Sequence, residues 1–176
     1  MERTKTFVLD WLHASDAETL HTLMVSNKDR FIRFFSKTLS KNMSLQASKA
    51  YILLQHAQLQ LASEFTFAIR EASSRKVGGL IIIREINREK QQGEISYCIG
   101  EEFQGKGWVT AALIEVSAFA TKELKLETLR LIIHKSNIAS LRVAKKANYI
   151  WQKTLKEHYT PPNEAILDME LFTFQK

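Results

Sequence analysis

Only one cysteine, Cys98, occurs in the 176 residues. No disulfide can close within the chain, and a reducing compartment suits it. Long apolar runs are missing too. The longest uninterrupted aliphatic stretch, residues 80–83, falls far short of the roughly 20 residues a membrane helix needs. Residues 1–6 lead into no apolar run, so no signal peptide is read there and a cytoplasmic location is expected, with no membrane partner. The histidines, His13, His21, His56, His134 and His158, have no metal-ligand spacing with cysteine or carboxylates, and no metal is expected. There is no internal repeat, low-complexity tract or linker.

What is present fits a single domain over residues 1–176. The apolar share of 45% and charged share of 25% are those of a soluble globular protein, long enough to bury a core. The net charge of +6 is compatible with an anionic cofactor, an acidic partner or nucleic acid. Basic residues gather at Lys28, Arg30, Arg33, Lys37 and Lys41, and again at Arg142, Lys145 and Lys146. Neither group is a polybasic tail or a nucleic-acid motif, so specific nucleic-acid binding is not expected.

Patterning orders the elements. Residues 7–12 read as a strand. Ser15 or Asp16 can cap a helix running to about Val25, with Leu20, Leu23 and Met24 inward. Residues 27–35 form a short basic, aromatic and helical segment. Ser44 opens a longer helix, with Tyr51, Leu54 and Leu61 as inward candidates. Strands follow at 65–70, 77–83 and 95–99, the second apolar enough for a central position. A polar hairpin loop, 87–93, joins the last two. A helix over 107–123 places Val109, Leu113, Val116 and Ala120 on one stripe. Then come a strand at 129–133, a helix at 139–146 and closing strands at 150–156 and 166–174, joined by a loop holding Pro161 and Pro162. This is a mixed sheet with helices on its faces.

The densest signal lies at residues 94–113. A strand meets a short acidic loop, then Gln104-Gly105-Lys106-Gly107, and a helix begins at once. Glycines without a Cβ let the backbone turn and approach a ligand. The first helix amides lack intrahelical partners and carry the positive end of the dipole, which makes a phosphate site; Lys106 adds a full charge. There is no Gly-x-x-x-x-Gly-Lys-Ser/Thr and no third glycine for Gly-x-Gly-x-x-Gly. What remains, Gln-x-x-Gly-x-Val at 104, 107 and 109, resembles the pyrophosphate loop of the GNAT acetyltransferases, Gln/Arg-x-x-Gly-x-Gly/Ala. Val109 departs at the last position, where the backbone amide would be the ligand. A second segment, residues 137–149, resembles the family's other coenzyme-A motif, Asn-x-x-Ser/Ala followed by a helix and a Gly-Phe/Tyr stop. Here Asn137 and Ser140 open it and Asn148-Tyr149 close it, asparagine standing for glycine as the residue that best tolerates a left-handed helix end. The details are most similar to the Rim-type subgroup, which acetylates N-terminal amines of ribosomal proteins.

The resemblance implies an α/β (α+β) fold with a mixed, largely antiparallel central sheet of about seven strands and helices on both faces. It implies acetyl-CoA as cosubstrate and transfer of acetyl to a primary amine. The amine must lose a proton, the carbonyl oxygen must be stabilised and the thiolate neutralised. Glu94 is the first choice for the base, at the head of the strand, beside the alternative of a solvated carboxylate; Glu85 is the reserve. A backbone amide near Ile99 would hold the carbonyl. Gln104, Gly105, Lys106, Gly107, Val109 and Thr110 would cradle the pyrophosphate, and Asn137 would fix the pantetheine arm or serve only as a turn residue. The tyrosine acid of many members falls at Ala144, so Ser140 takes its place at the sulfur, or is merely a helix-start serine. Cys98 is read as a small buried residue. Trp11, Phe31, Phe34, Phe35 and Trp108 line a cleft or pack the core. The acceptor is a protein N-terminus or a small amine such as a polyamine, amino acid or antibiotic. A non-catalytic acyl-CoA-binding sensor is the rival. A homodimer stays open.

Overall fold

A computed structural model describes residues 6–175. The expectation that no signal peptide stands at residues 1–6 falls, but for Thr6, outside the described residues. The chain forms a seven-stranded sheet of order β1-β2-β3-β4-β5-β7-β6 and divides into two compact units. The sheet is mixed and mostly antiparallel, as expected.

The first unit comprises Met1–Ile82 and Tyr97–Trp108. Strand β1 (Phe7–Trp11) lies antiparallel to β2 (Phe65–Glu71), Phe7 opposite Glu71 and Trp11 opposite Phe67. Helices α1 (Ala17–Ser26), α2 (Lys28–Phe31), α3 (Ser36–Ser40) and α4 (Leu45–Gln60) lie between them in sequence. Their core holds Leu20, Leu23, Met24, Tyr51, Ile52, Leu80 and Cys98. The sequence reading did not separate α3, whose buried Leu39 is its anchor.

Two readings are corrected in this unit. Asp16 does precede α1, but its side chain makes no cap bond there. Its carboxylate instead receives Arg70 Nη1 at 2.5 Å, Arg70 Nη2 at 2.7 Å and the His13 amide at 2.6 Å. Ser44 caps α4 as expected, accepting from the Ala47 amide at 3.1 Å, and Tyr51 is buried. Leu54 and Leu61, however, are 41% and 76% exposed. The inward face is Ser48, Tyr51, Ile52 and Gln55. Polar residues take it because each is bonded: Ser48 Oγ donates to Asn42 Oδ1 at 2.8 Å, and Thr66 Oγ1 donates to Gln55 Oε1 at 2.7 Å. A paired polar group tolerates burial that an unpaired one does not.

The second unit comprises Ile83–Ser96 and Val109–Lys176. Strand β3 (Val77–Asn87) runs longer than expected, and β4 (Gln92–Ile99) begins three residues earlier. Strand β5 (Thr128–Ile133) pairs in parallel with β4 from Gln92–Thr128 to Glu94–Arg130, the last rung of the ladder. On its other side β5 pairs antiparallel with β7 (Leu167–Gln175), which pairs antiparallel with β6 (Ile150–Tyr159). Helix α5 (Trp108–Lys122) buries the stripe Val109, Leu113, Val116 and Ala120. Alternation on β5 buries Leu129, Leu131 and Ile133 and leaves Arg130 partly exposed on the opposite face. Helix α6 (Ile138–Lys146) ends at Asn148, whose φ of 61° is the left-handed conformation anticipated for it.

Candidate active site

The glycine loop belongs to the first unit. After β4 the Gly100 amide donates to Gly78 O at 2.8 Å, and a tight turn spans Glu101–Phe103. Gln104, Gly105, Lys106 and Gly107 are all exposed. Gly105 and Gly107 have φ of 74° and 77°, and a Cβ built on either meets nothing within 4 Å. The need for glycine is thus conformational, and the space beside the loop is open. Phe103 and Trp108 bracket the loop, both buried, with rings stacked at 5.1 Å. Trp108 also meets Phe7 at 5.9 Å and donates from Nε1 to Thr6 Oγ1 at 2.9 Å. It is the packed first residue of α5, not a cleft wall. Lys106 Nζ rests 5.0 Å from both the Phe103 and the Trp108 ring centroids. Cation–π attraction of this kind holds the ammonium at the loop.

A contact missed in the sequence ties this loop to the basic segment. Asn27, almost fully buried, accepts on Oδ1 from the Glu101 amide at 2.9 Å and from Arg30 Nη1 at 2.7 Å. The same Arg30 nitrogen lies 3.4 Å from Ile99 O. One of the five basic residues therefore braces the end of β4. Phe31 is core, and Trp11 stacks on Phe67 at 4.2 Å. Cys98 is buried, and burial pushes its thiol up to about 12, which keeps it protonated and a poor nucleophile.

In the second unit Glu94 is the third residue of β4, not its first, and only 8% exposed. Its Oε1 accepts from Arg84 Nε at 3.1 Å and Nη2 at 2.7 Å. Arg130 Nη2 stands 3.9 Å from Oε2. Glu85 is exposed and takes a φ of 50° within β3. Val109 points its side chain into the core, and Thr110 is partly exposed. Asn137 and Ser140 are brought together: the Ser140 amide donates to Asn137 Oδ1 at 3.1 Å, which makes Asn137 the cap of α6. Ser140 stands in the first turn of that helix. Ala144, at the position of the family tyrosine, is wholly buried, and its carbonyl accepts from the Tyr149 amide at 3.0 Å. The Tyr149 hydroxyl bonds Ser117 Oγ at 2.7 Å, pinning the aromatic stop. Among the described residues no group of three or more His, Cys, Asp or Glu is placed to hold a metal, and no helix is long and apolar enough to cross a membrane.

Comparison with known proteins agrees with these motifs. The profile of the acetyltransferase (GNAT) domain matches residues 7–150. The chain is 28% identical over 150 residues to "Probable N-acetyltransferase YjcK" of Bacillus subtilis (strain 168), covering 85% of this chain and 83% of that one. Its fold matches the ribosomal-protein-S5-alanine acetyltransferase of Vibrio fischeri at a TM-score of 0.88, with 18% identity and 98% and 94% of the two chains covered. It also matches spermidine N-acetyltransferase of Vibrio cholerae, solved with CoA and spermine, at a TM-score of 0.79, with 19% identity and coverage of 98% and 96%.

Proposed function

This chain belongs to the GNAT acetyltransferase family and is an acetyl-CoA-dependent N-acetyltransferase; on that premise we propose that its acceptor is a protein N-terminal amine, attacked directly, with residues 1–176 acting as one catalytic domain in the cytoplasm. The observation that carries this choice is the charge around Glu94. One carboxylate stands between two guanidiniums, Arg84 and Arg130. The sum of these three charges is positive. A polyamine, itself a polycation, gains nothing from such surroundings. A peptide amine brings one charge and a backbone. The fold likeness to ribosomal-protein and spermidine acetyltransferases favours neither class, so the reading rests on charge.

In this reading Gln104, Gly105, Lys106, Gly107, Val109 and Thr110 hold the diphosphate of acetyl-CoA at the head of α5. The open space at the two left-handed glycines and the ammonium fixed over the rings of Phe103 and Trp108 fit such a group. Asn137 orders the start of α6 for the pantetheine arm. The backbone at Ile99 polarises the thioester carbonyl. Glu94 takes a proton from the amine, whose lone pair then attacks the carbonyl carbon. The carbon–sulfur bond breaks, and the second proton, shed by the nitrogen after attack, is relayed through the Ser140 hydroxyl to the departing sulfur, which neutralises the thiolate. The products are an N-acetyl amide and free coenzyme A.

Two measurements test this. Thiol release from acetyl-CoA, followed over a panel of N-terminal peptides and small amines, is expected to be faster for peptides. Turnover confined to polyamines or other small amines would overturn the choice of acceptor, and binding without transfer to any amine would mark an acyl-CoA sensor. For the loop, Gly107→Val forces a β-branched residue into a left-handed conformation that costs an ordinary residue about 1–2 kcal/mol. It is expected to weaken acetyl-CoA binding about tenfold or more in calorimetry while the protein stays folded. Lys106→Ala is expected to do less, since backbone amides make the principal contacts. Unchanged affinity in Gly107→Val would remove the loop assignment.

A further inference from the structure

Arg130 has so far entered only through its charge, which leaves its geometry unexplained. It projects from β5 at the last rung of the β4–β5 ladder, opposite Glu94. Its side chain is about one-third exposed, at 34%. Among the described residues its Nε is buried with no hydrogen-bond partner. Its Nη2 lies 3.9 Å from Glu94 Oε2, beyond hydrogen-bond range. Arg84 is different: both of its bonds go to Oε1 of the same carboxylate. The carboxylate is therefore held from one side, and its second oxygen faces a guanidinium with donors to spare. A guanidinium that stays charged and half-buried is costly unless an acceptor meets it.

The spacing indicates what that acceptor is. In an α-amino acyl group the nitrogen and the carbonyl oxygen on the adjoining carbon are on the order of 3 Å apart by standard backbone dimensions. An amine placed on Glu94 Oε2 puts that oxygen within reach of Arg130 Nη2. We propose that Arg130 is a specificity-determining residue that receives the first carbonyl oxygen of the acceptor, so that the Glu94–Arg130 pair selects α-amino carbonyl compounds over plain alkylamines. The proposal rests on the assignment of Glu94 to the amine. The shared chemistry is an amine one carbon from a carbonyl, and it has two sources: the N-terminus of a peptide, where the oxygen is an amide carbonyl, and a free amino acid, where it is a carboxylate. A polyamine has no such oxygen and leaves the guanidinium unmet.

The test compares a tripeptide amide, the corresponding free amino acid and n-butylamine as acceptors for the wild type, Arg130→Gln and Arg130→Lys, with acetyl-CoA affinity measured separately to show that each variant is folded. Arg130→Gln is expected to raise KM for the tripeptide amide by about tenfold or more, the loss typical of a hydrogen bond to a charged group. The kcat at saturation should stay within about threefold, and Arg130→Lys should recover part of the loss because it keeps the charge but not the fork. Use of n-butylamine, expected to be poor in the wild type, should not worsen. An unchanged KM for the tripeptide amide overturns the proposal. So does an equal rise for n-butylamine, which would make Arg130 a general support of Glu94. If the wild type accepts the free amino acid but no peptide, the protein-acceptor reading fails while Arg130 keeps its role. If it accepts alkylamines alone, both fail.

Discussion

Glu94→Gln is expected to cut turnover by about a hundredfold or more, the contribution of a general base. The substitution keeps the size of the side chain and its ability to accept from Arg84, which holds Oε1 with two donors. It removes the only feature needed for proton transfer, a basic oxygen. The rising limb of the pH–rate profile should flatten with it. Acetyl-CoA affinity should hardly change, because the cradle residues are elsewhere in the chain. Glu85→Gln is the control. Glu85 is exposed, and an isosteric change leaves its left-handed backbone conformation as it is. Normal turnover in Glu94→Gln together with loss in Glu85→Gln would exchange the two assignments. Normal turnover in both would mean that the amine loses its proton through water and that catalysis is mainly positioning.

The largest loss of stability is expected from Arg70→Ala, about 3–5 kcal/mol in denaturant unfolding, the range for breaking a buried ion pair by removing one partner. Arg70 is 2% exposed and Asp16 is 6% exposed. Arg70 makes a forked pair with both Asp16 oxygens, and its Nη2 also donates to Trp11 O at 2.7 Å. Truncation leaves the buried Asp16 carboxylate without its guanidinium and takes a donor from the Trp11 carbonyl. The paired replacement Arg70→Met with Asp16→Leu is expected to recover much of the loss, since a buried pair exchanged for apolar groups of similar volume is often neutral. A loss under about 1 kcal/mol in Arg70→Ala would show that water reaches the pair, as at an exposed bridge.

Local chemistry was legible where it is set by neighbours in sequence. The tight turn at Gly105 and Gly107, the left-handed stop at Asn148, the cap at Ser44 and the apolar stripe of α5 each depend on a few adjacent residues, and each is present. The inward face of α4 was misjudged because leucine is apolar wherever it stands, whereas Ser48 and Gln55 are buried only by virtue of Asn42 and Thr66. The role of Asp16 was misjudged for the same reason. Its partner is 54 residues away, and a local capping rule cannot see it.

By itself the sequence determined the family motifs and the order of helices and strands, because backbone conformation and hydrophobic period are short-range properties of the chain; the largely antiparallel sheet followed only from the family resemblance those motifs carry. The tertiary structure alone decided half of the electrostatic surroundings of Glu94. Arg84 comes from across a hairpin, and in principle its approach follows from the turn between β3 and β4. Arg130 arrives on a strand that runs parallel to β4 and is separated from it by the whole of α5. A parallel partner has no fixed sequence offset, so only the closed register brings that second guanidinium to the carboxylate.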